Sequence, residues 1–205
     1  MNKDRIVALQ NIKKDVEVHQ CSLRSSCIQA VPGEGSPDSE IVFIGEAPGR
    51  HEDEQGRPFV GSAGQCLSKL LNEISLTRES VYITNVVKCR PPGNRDPLPE
   101  EISEHAEFLK RELDLIKPKL IVLLGRHALN RFFPDEQISK CHGRAWRHGE
   151  QAYFAIYHPA AALHNPNLAA TLKEDFVKIP KVLKAIKKLV VTDESSVDKK
   201  ELSLV

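Results

Sequence analysis

With 205 residues, 40% hydrophobic and 28% charged, the chain suits one globular domain with a single core, and no apolar run approaches the roughly 20 residues that span a bilayer. A net charge of +1 excludes the global basic field that draws a protein to nucleic acid, so any contact with DNA must come from local groups and helix termini. Five cysteines, an odd number behind an N-terminus that lacks the apolar segment of a secretion signal, argue against structural disulfides and for a cytoplasmic protein.

In chain order, residues 3–16 space Ile6, Leu9, Ile12 and Val16 for one face of a helix. Val31–Ser39 holds two prolines and two glycines and predicts a loop. Four short β-branched runs follow, at Ile41–Gly45, Val81–Val87, Leu120–Gly125 and Ala152–Tyr157. Helical patterns separate them. Ala63–Ile74 puts Cys66, Leu67, Leu70 and Leu71 on one side, and Pro99–Ile116 opens with a proline and two glutamates suited to a first turn. Arg126–Phe133 is short, and Leu168–Leu189 is long, with an interruption expected at Ile179-Pro180. Strands alternating with helices imply parallel pairing and right-handed crossovers. The expected fold is α/β, three layers (α/β/α) around a short central parallel sheet of about four strands. One domain over residues 1–191 is expected, then a polar tail, 192–205, expected to be disordered.

The segments that follow the strands carry the chemistry, because ligands of open α/β sheets bind at the carboxyl ends of strands. Glu46, between two glycines after the first run, reads as functional. Glu52 is either functional or part of a solvated acidic loop, and Asp53 and Glu54 read as surface. Phe59 is either a core ring or a ring that stacks on a planar base. Gly61-Ser62-Ala63-Gly64 opens a helix whose exposed N–H groups suit a phosphate, although helix capping by Ser62 explains it equally well. Asn85 ends the second strand, where an amide that donates and accepts matches a nucleobase edge; a strand-end turn is the alternative. Lys88–Arg95 reads as a rigid basic loop for phosphate contact. His158, held extended by Pro159, ends a strand of the same sheet.

Together these segments resemble a known family. Gly45-Glu46-Ala47-Pro48-Gly49 with Gly56-Arg57-Pro58-Phe59-Val60-Gly61 forms the first motif, and Tyr82-Ile83-Thr84-Asn85-Val86-Val87-Lys88-Cys89-Arg90-Pro91-Pro92-Gly93-Asn94-Arg95 the second. Tyr157-His158-Pro159-Ala160-Ala161 with Asn165-Pro166 forms the third. Their order and content are similar to the iron–sulfur-type (family four) uracil-DNA glycosylases, from about Val18 to Leu189. The resemblance implies an enzyme that hydrolyses the N-glycosidic bond of uracil in DNA, leaving an abasic site at the start of base-excision repair. It implies that Phe59 stacks on a flipped uracil and Asn85 reads its edge, with Ala47 and Glu52 also at the base and Glu52 excluding thymine. His158 would stabilise the departing uracil anion, and Glu46 the hydrolytic water or the sugar cation. Gly61, Ser62, Gly64 and Gly125 would face phosphates, and Leu163 and His164 would wedge into the gap left by the flipped nucleotide. The implied partner is uracil-containing DNA, single- or double-stranded. A monomer is expected, without covalent capture of DNA, since Pro91–Pro97 offers no histidine for it.

The family pattern also includes an iron–sulfur cluster on four cysteines. Cys21 and Cys89 match two of them, while Val18 and His105 stand at the other two positions. No cofactor is expected for the chemistry, and the cluster is not expected. A set of Cys21, Cys27, Cys89 and His105 holding a cluster or zinc stays open. Two other functions stay open on the residues alone: a catalytically silent DNA- or protein-binding relative, and a metal-dependent phosphoesterase using Glu46, Glu52 and Asp53.

Overall fold

A computed structural model describes residues 3–163, 165–189 and 200–201 of the chain. Helix α1 (Lys3–Val18) leads through a long loop to β1 (Glu34–Gly35) and β2 (Ile41–Gly45), followed by α2 (Arg50–Gln55) and α3 (Ser62–Glu73). Next come β3 (Tyr82–Asn85), α4 (Pro99–Ile116), β4 (Leu120–Leu124), α5 (Gly125–Phe132) and α6 (Ile138–Cys141). The remaining described elements are β5 (Ala145–His148), β6 (Gln151–Ile156), α7 (Pro159–Ala162), α8 (Pro166–Leu189) and β7 (Lys200–Glu201).

The strands form one sheet in the order β1-β3-β2-β4-β6-β5-β7. The four runs predicted from sequence make its centre, β3-β2-β4-β6, and pair in parallel as expected. The rims were not anticipated: β1, β5 and β7 add antiparallel edges. Two-residue strands carry no periodicity, and the burial along β5 does not alternate. Lys200 and Glu201 lie in the tail expected to be disordered; as β7 they pair with Arg147 and Trp146. The rest of the tail lies outside the described residues.

Alternation along the central strands divides the core. Val42, Ile44, Tyr82, Ile121 and Leu123 pack with Leu9 and Val16 of α1 and with Phe108 and Leu109 of α4. The intervening residues Phe43, Ile83, Val122 and Phe154 pack with Leu67 and Leu71 of α3 and with Phe176 and Ile179 of α8. With both faces covered, every residue of β2 and β4 is buried, the pattern of a parallel sheet between helices.

Local chemistry sets the helix ends. At the start of α4, Pro99 takes the first helical position, and Glu101 reaches back to accept the Leu98 N–H at 2.7 Å. Asn165 caps α8, its Oδ1 accepting from Asn167 and Leu168 N–H at 3.1 and 3.3 Å. The interruption expected near Pro180 does not occur; α8 runs through it. Pro180 sits on the exposed side while Phe176, Ile179 and Val182 are buried, so water can take the carbonyl left without its helical partner and packing holds the axis. Helix α2 lies in a segment that read as loop. Its sequence, Arg-His-Glu-Asp-Glu-Gln, has no apolar residue for periodicity to detect. No helix among the described residues is long and apolar enough to cross a membrane.

Candidate active site

Parallel pairing brings the carboxyl ends of β2, β3 and β6 to one edge of the sheet, with Gly45 directly beside Asn85. A cleft of about 240 Å³ opens there, lined by Glu46, Ala47, Glu52, Phe59, Asn85 and His158, with Pro91, Asn94 and Arg95 of the basic loop on its rim. Residues more than a hundred positions apart in sequence thus share one cavity.

Phe59 is buried and has φ of +53°, a left-handed backbone that is costly for a bulky side chain and persists only where its surroundings enforce it. Two groups enforce it here. Arg78 donates from Nη1 to the Phe59 carbonyl at 2.8 Å and from Nη2 to the Pro58 carbonyl at 2.7 Å. On the following residues, Glu52 Oε1 accepts the N–H groups of Val60 and Gly61 at 2.9 and 2.8 Å. The ring then lies 5.6 Å, centroid to centroid, from the His158 imidazole. Gly45 makes this approach feasible: a Cβ there would stand 2.5 Å from both Phe59 Cζ and Asn85 Oδ1.

Asn85 is 2% exposed, and its Oδ1 is buried with no hydrogen-bond partner among the described residues. Such an unpaired acceptor costs about 1–3 kcal/mol, which a ligand donor would recover. His158 Nδ1 accepts the Ala160 N–H at 3.1 Å, so the ring proton resides on Nε2. Burial, outweighing the pull of Glu52 and reinforced by His127, lowers the His158 pKa to about 4. The imidazole is therefore a neutral donor near pH 7. Burial raises the pKa of Glu46 above the usual carboxylate range, while the neighbouring His127 pulls it back. His127 Nε2 lies 3.7 Å from Glu46 and 3.2 Å from Asp96. His127 escaped the sequence reading. Its signal was position, three residues past the carboxyl end of β4, the same rule that singled out Glu46.

The uracil DNA glycosylase superfamily profile matches residues 32–184. The chain belongs to this superfamily. It is 49% identical over 183 residues to a Type-4 uracil-DNA glycosylase of Sulfurisphaera tokodaii, covering 84% of this chain and 83% of that one. Identity to a Type-4 uracil-DNA glycosylase of Archaeoglobus fulgidus is 45% over 177 residues, 82% of this chain and 89% of that protein. A Type-5 uracil-DNA glycosylase of Thermus thermophilus is 37% identical over 134 residues, 58% of this chain and 60% of the other.

Several expected positions in this superfamily member take a different place. Of the four residues expected to face phosphates, only Ser62 is exposed. The Gly61 N–H is turned inward to Glu52. Gly64 lies against the Phe59 carbonyl, and Gly125 against His158 Cβ; their small size serves the packing of the cleft wall. Leu163 is 43% exposed at the end of α7, and His164 lies outside the described residues. Asp53, expected at the surface, is buried, with Oδ1 accepting the Ile28 and Gln29 N–H groups at 2.8 and 3.2 Å. It does not line the cleft, so the acidic trio of the phosphoesterase alternative does not assemble. Lys88, read as part of a phosphate-binding loop, is fully buried and paired with Glu112 at 2.7 Å.

Sulfur and imidazole groups gather in the layer of α1 and α4. Cys21 and Cys89 Sγ are 3.5 Å apart as free thiols, and His105 is buried on α4 nearby, in a group with Cys21 and His19.

Proposed function

We propose that the chain is a uracil-DNA glycosylase, which accepts a uracil flipped out of DNA and hydrolyses its N-glycosidic bond, releasing free uracil and leaving an abasic site for base-excision repair. The observation that carries this reading is the unpaired, buried Oδ1 of Asn85 in a cleft walled by an aromatic ring and a neutral histidine. Uracil supplies what that arrangement lacks. Its N3–H donates to Asn85 Oδ1 and its O4 accepts from the same amide. Cytosine presents an acceptor at position 3 and would set two lone pairs against each other. Phe59 stacks on the base, offsetting part of the few kcal/mol that flipping costs. Glu52, held rigid by two backbone N–H groups, stands where thymine's methyl would fall.

Bond cleavage separates charge. The C1′–N1 electron pair leaves with uracil while the sugar becomes cationic. His158 Nε2–H donates to uracil O2 as negative charge develops there, a hydrogen bond aimed at the transition state in a site sheltered from water. Glu46 orients the water whose oxygen bonds to C1′, takes its proton, and stabilises the cation by its charge. Its raised pKa makes the carboxylate a better base near neutral pH. Ser62 at the start of α3 and Arg95 at the rim meet phosphates, and Leu163 with His164 fills the gap in the stack. The enzyme works as a monomer from a single domain on uracil-containing DNA.

Release of free uracil from single-stranded and U:G duplex oligonucleotides tests this reading. The expected result is free uracil with alkali-labile but otherwise intact strands. DNA binding without uracil release, even at enzyme in excess over substrate, would overturn it in favour of a silent binding relative.

A further inference from the structure

Two imidazoles, His105 buried and His19 half-buried, have no role in the cleft. His105 is fully buried, and its Nδ1 lies 2.7 Å from the Glu101 carbonyl, one turn earlier on α4. A carbonyl only accepts, so Nδ1 carries the proton and Nε2 presents a bare lone pair. That Nε2 is buried without a partner among the described residues, and so is Nε2 of His19, one residue past α1. The two rings meet edge to face at 5.4 Å. Two unpaired buried nitrogens side by side call for a shared partner, because buried polar groups are otherwise nearly always satisfied.

Cys21 completes a trio with them: one ligand atom from each of His19, Cys21 and His105 lies within 4.8 Å of the others. Cys89 Sγ is 3.5 Å from Cys21 Sγ, though it is not itself within 4.8 Å of all three. Around a tetrahedral zinc ion with Zn–S of about 2.3 Å, two sulfurs stand roughly 3.8 Å apart, and pairs that include a nitrogen stand closer. We propose that His19, Cys21, Cys89 and His105 form a closed two-cysteine, two-histidine site for a single zinc ion.

The four-thiolate cluster implied by the family resemblance does not fit these residues. Val18, at one of its cysteine positions, is 72% exposed and has no ligand atom, and His105 holds another. A cubane also bonds each ligand to a different iron at a separate corner, which requires a wider spread than ligands gathered on one ion. Cys27 is not the missing thiolate. It too lies beside Cys89, but its Sγ is held by Arg24, accepting from Nη1 at 3.6 Å and donating to the carbonyl at 3.8 Å, whereas His19 Nε2 has no partner among the described residues. Two thiolates and two neutral imidazoles leave a zinc complex without net charge, the form a buried layer accommodates, and mixed sulfur–nitrogen tetrahedral ligation is a usual structural zinc set. The Glu101 carbonyl orients His105 as an outer support, as metal-bound histidines usually require. The ion would clip the end of α1 and the middle of α4 to the segment after β3, whose next residues reach the rim of the cleft.

The test is metal and acid-labile sulfide analysis of the full chain purified from cells supplied with both iron and zinc, followed by exchange to cobalt(II). One zinc per chain without sulfide is expected. The cobalt form should show tetrahedral d–d absorption and thiolate-to-metal charge transfer. His19→Ala and His105→Ala should each lose the ion, and Cys27→Ser should keep it. Cobalt uptake by the unmodified chain decides the matter even if a variant fails to fold. Iron with acid-labile sulfide, zinc retained by His19→Ala, zinc lost by Cys27→Ser, or a wild-type chain that binds neither zinc nor cobalt would each overturn the proposal.

Discussion

Strand β3 carries two buried polar groups that face opposite layers and end in opposite states. Toward α4, Tyr82 and Thr84 donate to Glu112 at 3.1 and 2.9 Å, the Gly33 N–H adds a third bond at 3.2 Å, and Lys88 pairs with the same carboxylate at 2.7 Å. Toward the cleft, Asn85 ends the strand with Oδ1 unpaired. A saturated network of this kind fixes the strand in place. Asn85, the next residue after Thr84, leaves its acceptor open toward the cleft of about 240 Å³, where the proposed function places uracil. Proximity to the sheet does not separate the two; the state of their hydrogen bonds does.

The comparison breaks most sharply if the saturated cluster is cut. Lys88→Met leaves Glu112 buried without its counter-charge, and unfolding free energy should fall by about 3–5 kcal/mol. Urea denaturation measures this. A loss under about 1 kcal/mol would mean that the pair behaves like a surface ion pair. Asn85→Ala should do the reverse, slowing single-turnover uracil release by roughly 10²–10³-fold with the melting temperature unchanged or slightly raised, since an unsatisfied acceptor has been removed. A parallel collapse of melting temperature and rate would reassign Asn85 to structure.

Smaller effects sharpen the picture of the cleft. Arg78→Ala frees the Phe59 backbone from its left-handed conformation and should slow release by about tenfold through misplacement of the ring, with a weaker response from abasic product binding. The pH profile reports on Glu46. In the proposed mechanism Glu46 acts ionised, so the rate should fall as pH drops through a pKa held above the usual 4.5 by burial. His127 opposes that rise, so His127→Ala should move the acid limb to higher pH; a downward move would contradict the assignment. His158, with a pKa of about 4, is neutral near pH 7 and adds no alkaline limb.

The central strands were legible because Ile41–Gly45 and Leu120–Leu124 are continuous apolar runs between polar turns. Once their parallel order was inferred, Glu46, Asn85 and His158 stood out by position at strand ends. What escaped depends on contacts that sequence spacing does not encode. Asp53 looks like one acid among several until the Ile28 and Gln29 N–H groups fold over it. Arg78 sits in an ordinary turn, and only the fold carries it to the Phe59 carbonyl. His19 is a lone histidine after a helix, and its partner, His105, is 86 positions away. Pro180 misled because the rule against interior prolines holds on a buried face and weakens on an exposed one.

The central claim is that Asn85 Oδ1 receives the N3–H of an extruded uracil. Single-turnover release from duplexes containing uracil or N3-methyluracil, by the wild-type chain and by Asn85→Ala, tests it most directly. The account predicts that the wild type discriminates against the methylated base by roughly 10²-fold or more and that Asn85→Ala erases the difference. Equal rates on both bases with the wild-type chain would contradict it.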